Sequence, residues 1–273
     1  SSDVCSSDLS PYIANKLGLR LGQVSYFIRK NIGARSHREA NSKYSFDENF
    51  FNKIDTEEKA YWLGFLIADG YIIKRDNSYK IGIALSSCDI NHLEKLNCSL
   101  KSNYPIKTYE AAKSSYSNNN YSRLIYSSEI MFKDLLKYNF VEHKTNVLNP
   151  PKKELLNNFT SDFIRGYFDG NGSIAHTNTE KNNSYAFKLV STKEFLDFVN
   201  NYIKENLGFS ASKYYKRKDH QKVMSLEFGG NIKTQKILDL LYKNANIYLD
   251  RKYKRYLDLC NLNNSRALGK LKA

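Results

Sequence analysis

Apolar residues fall at helical spacing in the first thirty positions. Ile13, Ala14 and Leu17 precede Gly18-Leu19-Arg20, and Val24, Phe27 and Ile28 follow it. That pattern predicts two short helices around a tight turn. A polar, basic stretch over residues 31–53 reads as a linker. A longer helix is then expected from Asp55, which can cap it with Glu58 three residues on, running through Trp62-Leu63-Gly64-Phe65-Leu66-Ile67-Ala68 to Asp69-Gly70. Alternating runs at Tyr71–Lys74 and Tyr79–Ser86 predict strands, and Asp89–Leu100 an amphipathic helix. Strands near Ile106 and Leu124 and a helix over Glu129–Tyr138 complete the unit, which Asn149-Pro150-Pro151 closes because proline continues neither element.

The order then recurs. A helix is expected over Ser161–Gly170, strands at Ser173–His176 and Tyr185–Ser191, and a helix over Lys193–Leu207. Strands near Tyr214 and Leu226 and helices over Thr234–Tyr242 and Arg251–Leu259 follow. Duplication is the economical explanation. The fold class is therefore α+β, with two pseudo-symmetric αββαββα repeats behind a small N-terminal helix pair. The expected division is 1–9 leader, 10–36 helix pair, 37–54 linker, 55–148 first repeat, 149–159 connector, 160–262 second repeat and 263–273 tail. Residues 1–9 are set aside because Val4-Cys5-Ser6-Ser7-Asp8-Leu9 looks like a translated sequencing-adapter end.

Charge narrows the partners. Among 273 residues, 42 Lys and Arg stand against 28 Asp and Glu, a net charge of +14 that points to a polyanion. Cys5, Cys88, Cys98 and Cys260 form no CxxC pair and the histidines no ligand spacing, so neither disulfides nor structural zinc are expected. No run of about 18 apolar residues occurs, nor an export signal. The expectation is a soluble, cytoplasmic, monomeric protein of a bacterial or phage-infected cell.

Superposing the repeats sets Gly64 on Gly166, Ala68 on Gly170, Asp69 on Asn171 and Gly70 on Gly172. Small residues four apart let two helix backbones approach closely. The repeats are thus expected to meet along these helices, with Asp69 and Asn171 side by side at their C-terminal ends. A carboxylate there faces the negative end of the helix dipole, and a bound cation would reverse that penalty. Oxygen ligands gathered at such a point suit Mg²⁺, which activates water and neutralises phosphodiester charge. A plain helix stop, with glycine as the C-cap, is the competing reading. In the N-terminal pair, Ala14, Gly18 and Val24 resemble the helix-turn-helix pattern, which would turn Gln23, Ser25, Tyr26, Arg29 and Lys30 toward DNA.

Trp62–Gly70 (WLGFLIADG) and Ile164–Gly172 (IRGYFDGNG) resemble the two signature helices of single-chain LAGLIDADG homing endonucleases, with similarity over roughly residues 55–260. The resemblance implies that Asp69 gives a metal-binding carboxylate assisted by the Ala68 carbonyl. At the matching positions, Asn171 replaces the family's acid beside the Gly170 carbonyl, which puts double-strand cleavage in doubt and opens nicking. Asp169 is expected on another helix face. The resemblance further implies lysines near the scissile phosphates, at Lys144 and Lys252, to stabilise charge or help deprotonate water. Basic strand pairs suit the major groove: Lys74, Arg75, Lys80, Lys107 and Arg123 in the first repeat, and Lys213, Lys216, Arg217, Lys218 and Lys222 in the second. Tyr79, Tyr121, Tyr214 and Tyr215 interleave them. A homing endonuclease, intron-borne or free-standing on a mobile element, is the leading expectation. A regulator that binds DNA without cutting and a maturase that binds intron RNA stay open.

Overall fold

Two four-stranded antiparallel sheets, each with its own helices, are the frame of the computed structural model, which describes residues 6–32, 43–110, 120–180, 182–211, 213–217 and 220–271. The chain divides into two units, at residues 1–45 and 46–273. In the first, α1 (Ser6–Leu17) and α2 (Leu21–Ile32) are joined by a turn in which Gly18 takes φ +64° and Leu19 N–H donates to the Ala14 carbonyl at 3.0 Å. Ala14 and Val24 are buried, as the spacing predicts, and the helix reaches back into the segment set aside as leader.

The second unit follows the predicted order. The first repeat contains α3 (Glu57–Asp69), β1 (Gly70–Arg75), β2 (Ser78–Ser86), α4 (Ile90–Ser99), β3 (Lys107–Tyr109), β4 (Tyr121–Ser127) and α5 (Glu129–Lys137). The second contains α6 (Thr160–Asn171), β5 (Gly172–Thr179), β6 (Asn182–Thr192), α7 (Lys193–Leu207), β7 (Tyr215–Arg217), β8 (His220–Gly229), α8 (Asn231–Tyr242) and α9 (Asp250–Leu271). Strand orders β1-β2-β4-β3 and β5-β6-β8-β7 are the same, so the duplication holds at the level of topology.

Three local expectations change. The cap of α3 is Thr56, whose hydroxyl accepts from Lys59 N–H at 3.2 Å, whereas Asp55 pairs with the Lys59 ammonium at 2.9 Å. The segment read as linker ends inside the core: Phe50, Phe51 and Ile54 are buried, because four apolar side chains from Phe46 onward outweigh the polar residues between them. The last helix continues past Leu259 to Leu271 over residues too polar to show an apolar stripe. No helix among the described residues is long and apolar enough to cross a membrane.

Each sheet has one covered face. In the first, Ile72, Ile81, Ile83, Leu85, Leu124 and Tyr126 alternate inward against the helices and join the core. In the second, Ile174, Tyr185, Phe187, Leu189, Leu226 and Phe228 do the same. The opposite faces stay open.

Candidate functional site

Helices α3 and α6 meet backbone to backbone. A Cβ on Gly64 would overlap the Phe163 carbonyl and lie 2.8 Å from Tyr167 N, and one on Gly166 would overlap the Tyr61 carbonyl and lie 3.0 Å from Phe65 N. A Cβ on Gly170 would strike that of Ala68. The predicted small-residue pairs therefore form the seam. Both helices end together, each leading directly into the first strand of its sheet through Gly70 or Gly172.

Asp69 and Asn171, both half-buried, are brought to this joint end. The Asp69 carboxyl lies 3.3 Å from the point where a Gly170 Cβ would stand, so it sits against the second repeat's helix. It has no hydrogen-bond or ion-pair partner among the described residues. Burial pushes its pKa above the ordinary carboxylate value, an effect the positive charges of Lys252, Lys144 and Arg251 oppose. Asn171 is oriented instead: its amide Nδ2 donates to the Tyr167 hydroxyl at 3.0 Å, and that hydroxyl donates to Ser191 Oγ at 2.7 Å.

The lysines expected near the phosphates do converge here, on equivalent carbonyls. Lys144 Nζ donates to the Gly70 carbonyl, and Lys252 Nζ donates at 2.6 Å to those of Gly172, Phe168 and Asp169. Burial lowers both, to about 8. Their engagement differs. Lys252 is 3% exposed with three carbonyls around its ammonium, a geometry that ties α9 to the end of α6. Lys144 is half-exposed and makes one such bond, which leaves donors for a phosphate oxygen or a water.

Asp169 lies elsewhere, as its helix position predicts. Fully buried, it accepts from the hydroxyls of Tyr61 at 2.7 Å and Tyr242 at 2.5 Å and from Leu249 N–H at 2.8 Å. Tyr61 belongs to α3, so this network also joins the repeats. His92 Nε2, 3.0 Å from the Tyr61 oxygen, is the protonated nitrogen of the ring, because that hydroxyl already donates to Asp169. Arg165, also buried, reaches across to Glu57 at 2.7 Å and holds Asp162 at 2.8 Å and the carbonyls of Leu241 and Ile247. These cross-repeat partners were not anticipated. Their sequence separations exceed a hundred residues for Tyr61–Asp169 and Glu57–Arg165, beyond any local pattern.

A divalent cation suits this joint end in one form. Among the described residues no group of three or more His, Cys, Asp and Glu side chains could hold a metal. The available donors are the single unpartnered Asp69 carboxylate, the Asn171 amide oxygen, and the carbonyls of Ala68 and Gly170 in last turns, where helices run out of internal donors. One or two carboxylates completed by water and substrate phosphate is the ordinary habit of Mg²⁺.

The pleat sorts the expected DNA contacts. Register places Arg75, Lys80, Lys107 and Arg123 on the open face of the first sheet, with Tyr71, Tyr109 and Tyr121. Arg123 is fixed there, its guanidinium donating to Tyr109 Oη at 2.8 Å while Tyr109 stacks on Tyr121. Lys74 alternates with Ile72 instead and carries its ammonium over the Tyr79 ring on the covered side, where Tyr79 itself packs on Phe132. In the second sheet, Lys216 pairs with Met224, and Lys222 has the parity of Met224 and Leu226, so both belong to the covered side. Tyr214 is held inward by Asp197 at 2.6 Å. Lys213 is exposed beside Tyr215, its ammonium 5.4 Å from that ring's centroid. The open face of this sheet carries Ser173, Ala175, Thr177, Ala186 and a Lys188–Glu227 ion pair at 3.0 Å, so its described charge is largely cancelled. Gln23 and Tyr26 are exposed on α2. Lys218 lies outside the described residues, as do the side chains of Ser25, Arg29, Lys30 and Arg217.

Comparison with known proteins matches residues 158–262 to the model of the LAGLIDADG-like domain. Among solved structures, the LAGLIDADG homing endonuclease I-GzeII in complex with its DNA target aligns at TM-score 0.52 and 13% identity, over 77% of this chain and 91% of that one. I-SmaMI bound to an uncleaved DNA target in the presence of calcium ions aligns at 0.51 and 15%, over 77% and 92%. I-LtrWI bound to target DNA aligns at 0.51 and 12%, over 78% and 92%. Comparison with curated protein sequences gave no match.

Proposed function

We propose that this chain, whose residues 158–262 form a LAGLIDADG-like domain within the two-repeat fold of the LAGLIDADG homing endonucleases, is a site-specific DNA endonuclease that uses Mg²⁺ and nicks its duplex. The observation that carries the reading is the unpartnered Asp69 carboxylate where α3 and α6 end together, beside Lys144, with an amide in the place of a second acid. When bound, the cation would supply a polarised water and offset charge on the phosphodiester. Asp69 would hold it from the first repeat, with the Ala68 and Gly170 carbonyls and Asn171 Oδ1 as neutral donors. Lys144 would place a positive charge beside the developing oxyanion. Lys252 would keep the end of α6 in position.

The relatives named above are recorded with DNA targets. The +14 charge and the cationic open face of the first sheet support the same partner here. The exposed Gln23 and Tyr26 of α2 are proposed as additional contacts. Recovery of a bound sequence from a randomised duplex pool, followed by incubation of a plasmid carrying it with Mg²⁺, tests the proposal. Nicked circles cut in one defined strand are expected. Binding without any strand break would leave a DNA-binding protein, the alternative that Asn171 favours, and preferential binding of intron RNA over the duplex would point to a maturase.

A further inference from the structure

The two half-sites differ in more than one residue. Tyr167, four residues before Asn171 on α6, has Phe65 as its counterpart on α3, so a hydroxyl is present only in the repeat that lacks the acid. That hydroxyl is fully buried under a ring stacked on Phe195 at 3.9 Å. It lies 2.7 Å from Ser191 Oγ and 3.4 Å from the Val190 carbonyl, which can only accept. With its proton committed to these acceptors, its lone pair faces Asn171 and takes the amide Nδ2–H at 3.0 Å. The other end of the amide, Oδ1, has no partner among the described residues.

We propose that Tyr167 is a positioning residue that fixes the Asn171 amide by its Nδ2 end and leaves its carbonyl oxygen free at the joint end of α3 and α6, making the second half-site a neutral oxygen ligand. This rests on the metal-dependent reading above. An asparagine without this acceptor can turn its NH₂ group toward the cation or swing away from it, whereas a carboxylate offers oxygen in either orientation. The hydroxyl is therefore useful to Asn171 and dispensable to an aspartate.

Calcium titration by calorimetry, on the protein bound to the duplex recovered by selection, tests this without turnover. Outer residues that orient a ligand usually change metal affinity by about 10–100-fold, so Y167F should weaken calcium by about tenfold or more. The same substitution in an N171D background should change it little. Equal affinity of wild type and Y167F would overturn the inference, and so would an equal loss in both backgrounds, which marks a structural role. If Y167F is without effect while wild type takes up calcium and nicks DNA, the inference alone fails. If the wild-type complex binds DNA but no calcium, the metal-dependent reading fails with it.

Discussion

Gly166→Ala is the sharpest test of the seam. The new methyl would overlap the Tyr61 carbonyl oxygen and stand 2.8 Å from its carbon and 3.0 Å from Phe65 N, all backbone atoms that no rotamer change can move. Carbon contacts settle at about 3.5–4.0 Å, so α3 and α6 must separate by about 1 Å or more. Overpacking of this kind costs about 1–3 kcal/mol. Separation also stretches the 2.7 Å bond from Tyr61 to the buried Asp169, and a hydrogen bond to a charged group contributes about 1.5–3 kcal/mol. Alanine returns about 1 kcal/mol of helix propensity. The net loss is about 3 kcal/mol, or roughly 10 °C in Tm for a unit of this size. Thermal unfolding followed by circular dichroism measures it, with Gly22→Ala as control, since a Cβ there meets nothing within 4 Å. A Tm for G166A within about 2 °C of wild type would refute the close-approach account of the interface.

Asp69→Asn should abolish nicking yet raise stability at neutral pH. Burial lifts the folded pKa of Asp69 above its unfolded value, so the charged carboxylate opposes folding at neutral pH, and the penalty fades as pH falls through the folded pKa and is gone below the unfolded value near 3.8. Tm of D69N and wild type across that range checks it, and a D69N protein less stable at pH 7 would sink the reasoning. Lys144, lowered to about 8, loses its charge as pH rises through that value, so wild-type nicking should fall there. K144R keeps its charge; a fall that persists unchanged in this variant would assign the titration to another group. Arg165→Met strands Asp162 and two carbonyls and leaves Glu57 only its bonds from Asn246, and urea unfolding should show a loss of about 3–5 kcal/mol. A loss under about 1 kcal/mol would mean that water replaces the guanidinium.

Periodicity and small-residue spacing made most of the frame legible. The spacing of Gly64 with Ala68 and of Gly166 with Gly170 encodes the seam because closeness of backbones depends on the absence of side chains, which a sequence displays directly. The same alignment exposes Asn171. Faces of strands were less legible: Lys74 and Arg75 are adjacent, and only the register with Tyr79 and Ser78 decides which one shares the open face. Long-range pairing was invisible, both across repeats, where nothing near Asp169 announces Tyr61, and within the second, where nothing near Lys188 announces Glu227 thirty-nine residues on as its neutraliser. The Thr56 cap illustrates a finer limit, because Asp55 and Thr56 are both good caps and one residue of phase separates them.

The buried bonds between α3 and α6 constrain the history open to this gene. With Gly64 laid on Gly166, Tyr61 corresponds to Phe163, Glu57 to Phe159 and Asp169 to Ile67. Two copies of the second repeat would put Phe163 in place of Tyr61, leaving each buried Asp169 only Tyr242 and Leu249 N–H as donors, and would leave each Arg165 without Glu57. Two copies of the first would lack Asp169, the acceptor for Tyr61, and Arg165, the donor to Glu57. Each repeat therefore fits the other better than itself, and the fusion cannot readily be undone into a symmetric dimer. Shuffling of repeats between relatives would have to carry these partners together.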